Sequence, residues 1–355
     1  MNIAIIDSDI ITRKKHRFPN LACMKISGYH KNLGNNVIFK TDYNNLNNFD
    51  QVNISKVFTD TYIPQSILFL PNITYGGTGF FYDKAEPLSN EIEHYIPDYN
   101  LYNEWIKNQT GNTEYYKDYS IGFLTRKCFR GCFFCVNKNY KAVEYHADID
   151  EFFDNSKKYI CLLDDNILGY KNSIKTIETL IDKNKPFQFK QGMDIRLMTN
   201  EKAELLSNCK YKGDYIFAFD DIKDVDTISN KLKLWKQYCK KTTKLYIFCG
   251  YENTVEDLLS VFQRIKILMK HGCLPYIMRH ENYVNSKYKG MYINLARWCN
   301  QPNMYKKKSF REWCEADITS RRSNNCSTER YLQAFENEHP EIVKEYFDLK
   351  FENFL

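Results

Sequence analysis

Short apolar segments recur along the chain, and polar or helical segments separate them. In the first hundred residues, four such segments predict β-strands: Ile3 to Ile6, Asn36 to Phe39, Val52 to Val57 and Ile67 to Leu70. The segment Leu21 to Ile26 lies between the first two strands and predicts a helix. Because strands alternate with helical segments, we expect a parallel, doubly wound sheet, that is, a Rossmann-like N-terminal domain.

From residue 118 onward the alternation becomes regular and predicts six further strands. They are Tyr119 to Leu124, Tyr159 to Leu163, Phe187 to Phe189, Tyr215 to Phe219, Leu245 to Phe248 and Pro275 to Met278. The clearest helix runs from Thr254 to Lys270, where apolar residues recur at helical spacing. Asn253 or Thr254 is a suitable N-cap and Gly272 a suitable end signal for this helix. The chain from residue 286 is predicted to be helical.

Composition narrows the class of protein. At 355 residues the chain exceeds a single core, so we expect one large domain and a smaller one. The 50 basic and 44 acidic residues give a net charge of +6, which is compatible with a nucleic acid or other polyanionic partner but does not require one. Twelve cysteines without a signal peptide predict a reducing, cytoplasmic location. No apolar run approaches the roughly 20 residues of a membrane helix.

Three cysteines, Cys128, Cys132 and Cys135, follow one another in the spacing C-x3-C-x2-C. Three thiolates from one short loop can hold three irons of a four-iron four-sulfur cluster, which leaves the fourth iron without a protein ligand. Basic residues of the same loop favour the thiolate form. A structural zinc site needs a further C-x2-C pair or Cys/His set, and the remaining cysteines are scattered singly. The pattern therefore favours an iron–sulfur cluster over a zinc site or buried thiols.

This motif resembles the radical S-adenosylmethionine (SAM) superfamily, in which the open iron binds the amino and carboxylate groups of SAM. Phe134, directly before the last cysteine, matches the aromatic residue that this family places against the adenine. The resemblance implies a partial (β/α)6 barrel for the six strands and an electron donor such as a flavodoxin or ferredoxin. It also implies cleavage of SAM to a 5′-deoxyadenosyl radical that takes a hydrogen atom from the substrate.

A Rossmann-like unit in front of the cysteine loop resembles radical SAM proteins with a cobalamin-binding-like N-terminal domain. The tripeptide Pro97-Asp98-Tyr99 strengthens this resemblance. Members that bind cobalt through a lower axial histidine carry D-x-H-x-x-G, and none of the seven histidines lies in that context. His30 lacks the aspartate and lies in a predicted helix. We therefore expect no tightly bound cobalamin; base-off binding without a histidine ligand is the alternative.

The expected organisation follows from this resemblance. Residues 1–100 are expected to form the cobalamin-binding-like Rossmann domain, and residues 101–117 a linker. Residues 118–285 are expected to form the radical SAM partial barrel, and residues 286–355 a helical C-terminal extension.

Polar residues follow the predicted barrel strands, and in parallel barrels the chemistry collects at the carboxyl ends of the strands. Asp164 and Asp165 take the place of a Gly-Gly-Glu-like element that engages the SAM amino group in this family. Asp194 and Arg196 are expected to bind the ribose and the SAM carboxylate, since an arginine fork suits a carboxylate. The simpler interpretation of each aspartate is a helix N-cap. The other candidate cofactor-binding residues are Gln191, Asp220, Gly250, Glu252 and Arg279.

Two weaker patterns leave alternatives open. The turn Gly76-Gly77-Thr78-Gly79 is either a tight structural turn or a close backbone approach that helps to close the substrate channel. In the C-terminal part, basic clusters near aromatic residues fit either a nucleic-acid interface or a solvated helix face over an aromatic core. The residues concerned are Lys306, Lys307, Lys308, Arg321 and Arg322, with Trp298, Tyr305 and Trp313. Likewise, Cys299, Cys314 and Cys326 are either ligands of a second cluster or, as we favour, separate buried thiols.

The sequence therefore predicts a radical SAM enzyme that abstracts hydrogen from its substrate. A nucleic acid or nucleotide fits the basic C-terminal clusters, whereas a small metabolite or peptide fits the modest net charge. A protein that binds an iron–sulfur cluster or zinc without catalysis is the alternative of a different class.

Overall fold

Twelve β-strands form in the part of the chain that the structure describes. The structure is a computed structural model and describes residues 1–13, 15–137, 139–320 and 327–354. The strands are β1 (Asn2–Asp7), β2 (Asn36–Lys40), β3 (Gln51–Ser55), β4 (Ile73–Gly76), β5 (Tyr119–Gly122), β6 (Thr125–Arg126), β7 (Glu144–Tyr145), β8 (Tyr159–Leu162), β9 (Phe187–Phe189), β10 (Tyr215–Ala218), β11 (Thr243–Cys249) and β12 (Leu274–Arg279).

The α-helices of the described residues alternate with these strands and then continue alone to the C-terminal end. They are α1 (Ser8–Thr12), α2 (Leu21–Asn32), α3 (Thr78–Phe81), α4 (Asn90–Glu93), α5 (Asn103–Lys107), α6 (Glu114–Lys117), α7 (Ser173–Asp182), α8 (Asn200–Asn208), α9 (Val225–Tyr238), α10 (Val255–Lys270), α11 (Lys289–Cys299), α12 (Pro302–Lys307), α13 (Phe310–Ser320), α14 (Ser327–Glu338) and α15 (Pro340–Tyr346). Among the described residues, no helix is both long enough and apolar enough to cross a membrane.

The strands form mostly parallel sheets. The order of the first sheet is β2-β1-β3-β4, and all its neighbours pair in parallel. Two three-stranded sheets follow in the orders β5-β8-β9 and β10-β11-β12, and β6 and β7 form a short antiparallel pair. The protein is therefore a mixed α/β protein with parallel sheets, as the sequence predicts.

The chain divides into two compact units. The first consists of Met1–Lys171 and Glu178–Gln188, and the second of Asn172–Ile177 and Phe189–Leu355. The predicted linker 101–117 lies inside the first unit, and the predicted boundary after residue 285 lies inside the second.

Both faces of the central strand β1 are buried. Ile3 and Ile5 of β1 share an apolar cluster with Met24 of α2, while Ile6 belongs to a second cluster with Ile54 of β3. Successive residues of a strand point to opposite faces. The central strand is therefore covered on both sides, as a parallel sheet requires.

The prediction for the fourth strand is wrong. Residues Gln65–Phe69 form a 3-10 helix, and the strand that pairs with β3 is β4, which includes the first glycine of the predicted turn. Leu68 and Leu70 pack against the second apolar cluster of the sheet. A short apolar run can be buried either as a turn or as a strand, and its periodicity does not distinguish the two.

The tripeptide before the predicted barrel ties α2 to β5. The Asp98 carboxylate accepts hydrogen bonds from Ser27 Oγ at 2.6 Å and Lys31 Nζ at 2.7 Å, both on α2. The Tyr99 hydroxyl donates to the carbonyl of Phe152 at 2.6 Å and accepts from the backbone N–H of Ile121 at 2.9 Å. Helix α2 and the strand that leads to the cysteine loop are thus linked through this tripeptide, and the hydrogen bonds of Tyr99 are buried.

In the second unit, the predicted helix 254–270 is confirmed. The Thr254 side chain accepts from Asp257 N at 3.3 Å and caps α10. Met193 forms an isolated parallel bridge with Phe217 of β10, so the segment after β9 adds to the edge of the sheet β10-β11-β12. The helices predicted after residue 286 are also present, and α14 and α15 are separated just before Pro340.

A buried charge network also joins segments of the first unit. Lys25 Nζ and His146 Nε2 contact Glu93 Oε1 at 2.9 and 3.0 Å. Burial disfavours the Glu93 carboxylate, but the contacts with His146 and Lys25 outweigh it and lower its pKa to about 2.

Replacing Glu93 with glutamine tests this network. Because the folded pKa lies near 2 and the ordinary value is 4.5, the carboxylate adds stability above pH 4.5 that is lost as the pH falls toward 2. We expect Glu93→Gln to lower the free energy of unfolding at pH 7 by on the order of 2 kcal/mol and to flatten its decline in acid. Urea denaturation at several pH values, with the exposed Glu91→Gln as control, measures this. Identical pH dependence of Glu93→Gln and the wild type would contradict it.

Candidate functional site

The three cysteines lie in one loop of the first unit, between β6 and β7. Lys127 and Gly131 have positive φ angles of 72° and 59°, which turn the backbone around the first cysteine and again before the second. The N–H of Cys135 donates to the carbonyl of Cys132 at 3.0 Å and closes a tight turn. All three cysteine side chains are partly exposed. The predicted motif is therefore an accessible loop.

Hydrogen-bond donors lie at the sulfurs of Cys128 and Cys135. Asn166 Nδ2 donates to Cys128 Sγ at 3.5 Å, and the backbone N–H of Asn137 donates to Cys135 Sγ at 3.4 Å. Hydrogen bonds to cysteine sulfurs are one way in which proteins tune an iron–sulfur cluster. Elsewhere, burial raises the thiol pKa, which keeps cysteines protonated and unreactive. This applies to Cys23, Cys209, Cys239, Cys249, Cys273, Cys299 and Cys314.

The loop fits a cluster by its chemistry rather than by a preformed geometry. Within the described ranges, no group of three or more Cys, His, Asp or Glu side chains is arranged to hold a metal ion. The donor set nevertheless consists of three accessible thiols within eight residues, with N–H donors at the sulfurs of Cys128 and Cys135. Thiolates at such short spacings are the usual ligands of iron–sulfur clusters.

Asp164 and Asp165 follow β8 and contact the segment that carries the cysteines. Asp164 is buried, burial raises its pKa to about 6, and its carboxylate accepts from backbone N–H groups at Leu124 and Thr125. Burial also raises the pKa of Asp165, whose carboxylate accepts from Lys127 and from Asn137. Both predicted SAM ligands thus have partners within the protein.

Asn166 is a site residue that the sequence argument did not assign a role. It is buried, its Nδ2 points at Cys128, and its Oδ1 has no hydrogen-bond partner among the described residues. A buried acceptor without a partner is costly, so it often marks a place for a ligand or an ordered water. The sequence signal was its position directly after the two aspartates. Phe134 lies half-buried in the loop, with its ring edge-on to Phe133 at 5.2 Å.

The other predicted site residues lie in the second unit. Arg196 Nε donates to Asp194 Oδ1 at 2.7 Å and Nη2 donates to Asp194 Oδ2 at 3.2 Å, while Nη1 contacts Asp224. The fork that was predicted to bind a SAM carboxylate is therefore paired with protein carboxylates here. Asp194 also accepts from the N–H of Arg196 and caps a short 3-10 helix, which is the simpler role considered from the sequence.

Asp220 lies near a buried arginine, Arg264, that the sequence argument missed. Burial raises the pKa of Asp220 to about 6, and its carboxylate accepts from Phe248 N at 3.1 Å. Arg264 of α10 is 1% exposed and donates Nη1 to the carbonyls of Phe219, Asp220 and Phe248. An arginine among the apolar positions of a helix was the available signal, because buried charges require partners.

The remaining candidates are exposed or structural. Gly250 has a φ of 79°, its N–H donates to Asp257 at 2.6 Å, and a Cβ there would lie 2.8 Å from Tyr283. Gln191, Glu252 and Arg279 are exposed side chains near strand ends. The Arg279 guanidinium lies 4.4 Å from the ring centroid of Tyr283.

The aromatic residues of the C-terminal helices are part of the core. Trp298, Tyr305 and Trp313 are buried, so their faces are closed to nucleic-acid bases in this arrangement. Cys299 and Cys314 are buried too, as favoured from the sequence. Three residues of the predicted clusters, Arg321, Arg322 and Cys326, lie outside the described residues.

Comparisons with known proteins identify the fold. No protein-family model matches the chain, and no curated protein matches it. The fold is similar to that of the radical S-adenosylmethionine methyltransferase TsrM from Kitasatospora setae, solved with cobalamin and a 4Fe-4S cluster bound (TM-score 0.52, 11% identity, 78% of this chain and 74% of TsrM). A second TsrM structure, with tryptophan substrate and a SAM analogue, gives a TM-score of 0.53, 10% identity and coverage of 78% and 72%.

The cobalamin-dependent S-adenosylmethionine radical enzyme OxsB, solved with aqua-cobalamin, matches with a TM-score of 0.39 at 12% identity, over 96% of this chain and 61% of OxsB. The likeness to TsrM confirms, at the level of the fold, the predicted resemblance to radical SAM proteins with a cobalamin-binding-like domain.

Proposed function

We propose that the protein is a radical SAM enzyme in which Cys128, Cys132 and Cys135 hold a 4Fe-4S cluster. The observation that carries this proposal is the loop of three accessible thiols with N–H donors at the sulfurs of Cys128 and Cys135. The shared fold with a radical SAM methyltransferase supports it. We also infer that β5 and β8 to β12 are the strands of a partial (β/α)6 barrel, followed by a helical C-terminal extension.

We assign the SAM contacts to groups near the cysteine loop or at strand ends that are exposed or that lack a hydrogen-bond partner within the described residues. Asn166 Oδ1 is a buried acceptor beside Cys128 and suits the ammonium of SAM. Phe134 in the same loop suits the adenine. Of the residues predicted from the sequence, the exposed Gln191, Glu252 and Arg279 remain the stronger candidates for SAM or substrate contacts. Asp164, Asp165, Asp194, Arg196, Asp220 and Gly250 already bind protein groups.

The chemistry belongs to the cofactors, and the protein orients them. When both are bound, the cluster and SAM would supply reductive radical chemistry at a substrate carbon, with the electron coming from a flavodoxin or ferredoxin. Cys128, Cys132 and Cys135 would hold the cluster, and the Asn166 amide N–H would orient the sulfur of Cys128.

We favour a small metabolite or peptide as substrate over a nucleic acid. Base stacking needs exposed aromatic faces, and the rings beside Lys306, Lys307 and Lys308 are buried. Without exposed rings, the lysines form only a solvated basic surface. This is the simpler of the two interpretations of the basic and aromatic clusters.

The residues of the N-terminal sheet do not fit a cobalamin, although TsrM was solved with one. In doubly wound sheets, ligands bind in a crevice at the carboxyl ends of the strands where the strand order reverses. Here that edge is closed by the protein. The Asp9 carboxylate after β1 accepts from Val57 N at 2.7 Å after β3 and from Thr61 Oγ1. Asn20 Nδ2 also donates to Ser55 Oγ at 2.9 Å.

The glycine turn contributes to the same closure. A Cβ at Gly77 would lie 2.4 Å from the carbonyl of Lys56, and the N–H of Gly79 donates to that carbonyl at 3.1 Å. Thr78 Oγ1 donates to the carbonyl of Val57 at 3.0 Å. These contacts favour the tight structural turn over a turn that approaches a ligand.

Anaerobic reconstitution with iron and sulfide tests the proposed cluster. We expect about four irons per chain and reductant-dependent cleavage of SAM, because three thiolates suffice for a cluster with one open iron. Replacing Cys128, Cys132 and Cys135 together with alanine should abolish both, whereas Cys209→Ala, a partly exposed cysteine outside the loop, should retain them. Full iron content in the triple variant would refute the assignment. Bound zinc, or a cluster without SAM cleavage, would favour a non-catalytic binding protein.

Expression in medium that contains cobalamin tests whether the N-terminal sheet binds this cofactor. We expect the purified protein to lack stoichiometric cobalamin in its visible spectrum, because the crevice is filled by side chains and no axial histidine is available. The reconstituted enzyme should cleave SAM at the same rate with or without added cobalamin. Co-purification of one cobalamin per chain would show that this edge opens and would overturn the inference.

A further inference from the structure

One carboxylate joins the two ends of the cysteine loop. Asp165 Oδ2 accepts from the backbone N–H of Lys127 at 2.7 Å, directly before Cys128. Asp165 Oδ1 accepts from Asn137 Nδ2 at 2.6 Å, two residues after Cys135. The side chain therefore bridges the residues on either side of the three cysteines.

The neighbouring residues contact the same segment at different points. Asp164 Oδ1 accepts from Thr125 N at 2.6 Å and from Thr125 Oγ1 at 2.7 Å, which fixes the strand that leads into the loop. Asp164 Oδ2 accepts from Leu124 N at 3.2 Å. Asn166 then donates to the sulfur of Cys128 at 3.5 Å.

Gly169 also belongs to the group of residues that contact the cysteine loop, because the absence of a side chain lets the loop approach it closely. A Cβ at this position would lie 2.9 Å from Cε1 of Phe129 and 3.0 Å from Cγ2 of Val143. The N–H of Gly169 donates to the carbonyl of Asn166 at 3.0 Å. The turn after β8 therefore lets the ring next to Cys128 pack closely against it.

We propose that Asp165 is a positioning residue for the cysteine loop, and that Asp164, Asp165, Asn166 and Gly169 together form a loop clasp. The clasp holds the two ends of the cysteine loop together, so that the three thiols stay close enough to bind a cluster. This inference therefore rests on the proposed function. Closing a flexible loop costs entropy, and hydrogen bonds to a carboxylate are about twice as strong as neutral ones. Residues that hold the ligands of a metal site determine its retention almost as much as the ligands do.

A swap of the two partners tests the clasp. Asn137→Asp places two carboxylates against each other, and Asp165→Ala removes the acceptor of both hydrogen bonds. Each single change breaks the bridge. The double variant Asp165→Asn/Asn137→Asp restores one donor and one acceptor, retains an acceptor for Lys127 N and leaves the net charge as in the wild type. The exposed Asp150→Asn, which removes an ion pair with Lys183, is the matched control.

The first measurement is the rate at which reconstituted protein loses iron to a chelator. We expect both single variants to lose iron about tenfold faster than the wild type or more, which is the usual effect of removing an outer contact of a metal site. The double variant should recover most of this loss, and Asp150→Asn should match the wild type. If Asp165 serves only to bind SAM, the single variants keep their iron, lose SAM affinity and are not rescued by the swap. That result would overturn the clasp.

The second measurement needs no cluster. Alkylation of metal-free protein, followed by mass spectrometry, gives separate rates for Cys128, Cys132 and Cys135. We expect the single variants to react several-fold faster at these positions and the double variant to return toward the wild-type rates. Buried Cys273 should stay unreactive throughout, which reports that the fold is intact.

These two measurements separate the two proposals. If the wild type gathers no iron but alkylation follows the swap, the proposed function fails and the clasp stands as a structural device. If alkylation is the same in all variants, the clasp fails whether or not a cluster forms. If Cys273 also reacts in a single variant, that variant has unfolded. Return of the double variant to the wild-type alkylation rates then supports the clasp, and no return contradicts it.

Discussion

The arrangement of the candidate site depends on the register between β5 and β8. Gly122 lies opposite Leu162 in this parallel pair, so Leu124 and Asp164, each two residues further on, come to the carboxyl edge of the sheet together. There the buried Asp164 carboxylate accepts a hydrogen bond from the backbone N–H of Leu124. Because a shift by one residue would turn every side chain to the other face, the contacts between the cysteine loop and the segment after β8 all rest on this pairing.

The fold could be predicted from the sequence where a strand is buried on both faces, because such a strand is a continuous run of apolar residues. The six strands after residue 118 begin and end within two residues of the predicted bounds, and the helix 254–270 has the predicted Thr254 cap. The prediction failed at Ile67 to Leu70, where the run is short and packs as a turn. There, Ile67, Leu68 and Leu70 are only partly buried and Phe69 is exposed, so the apolar run does not mark a buried strand.

The candidate site could be predicted only in part. The three cysteines of the candidate site were evident, because three thiols in one loop are a local pattern. The partners of Asp165 were not, because hydrogen bonds between separate segments depend on the register. An Asp-x-Arg pair looks like two free ligand groups in a sequence, yet Asp194 and Arg196 bind each other. Arg264 was hidden because its partners are backbone carbonyls, which carry no sequence signal.

The central claim is a cluster with one open iron that binds SAM. Its most direct test is electron–nuclear double resonance on the reduced, reconstituted protein with SAM labelled with nitrogen-15 at the amino group. The account predicts a new coupling between the cluster spin and the labelled nitrogen, which is absent with unlabelled SAM. An unchanged spectrum at saturating SAM, in protein with its full iron content, would mean that no iron is open to the cofactor and would contradict the account.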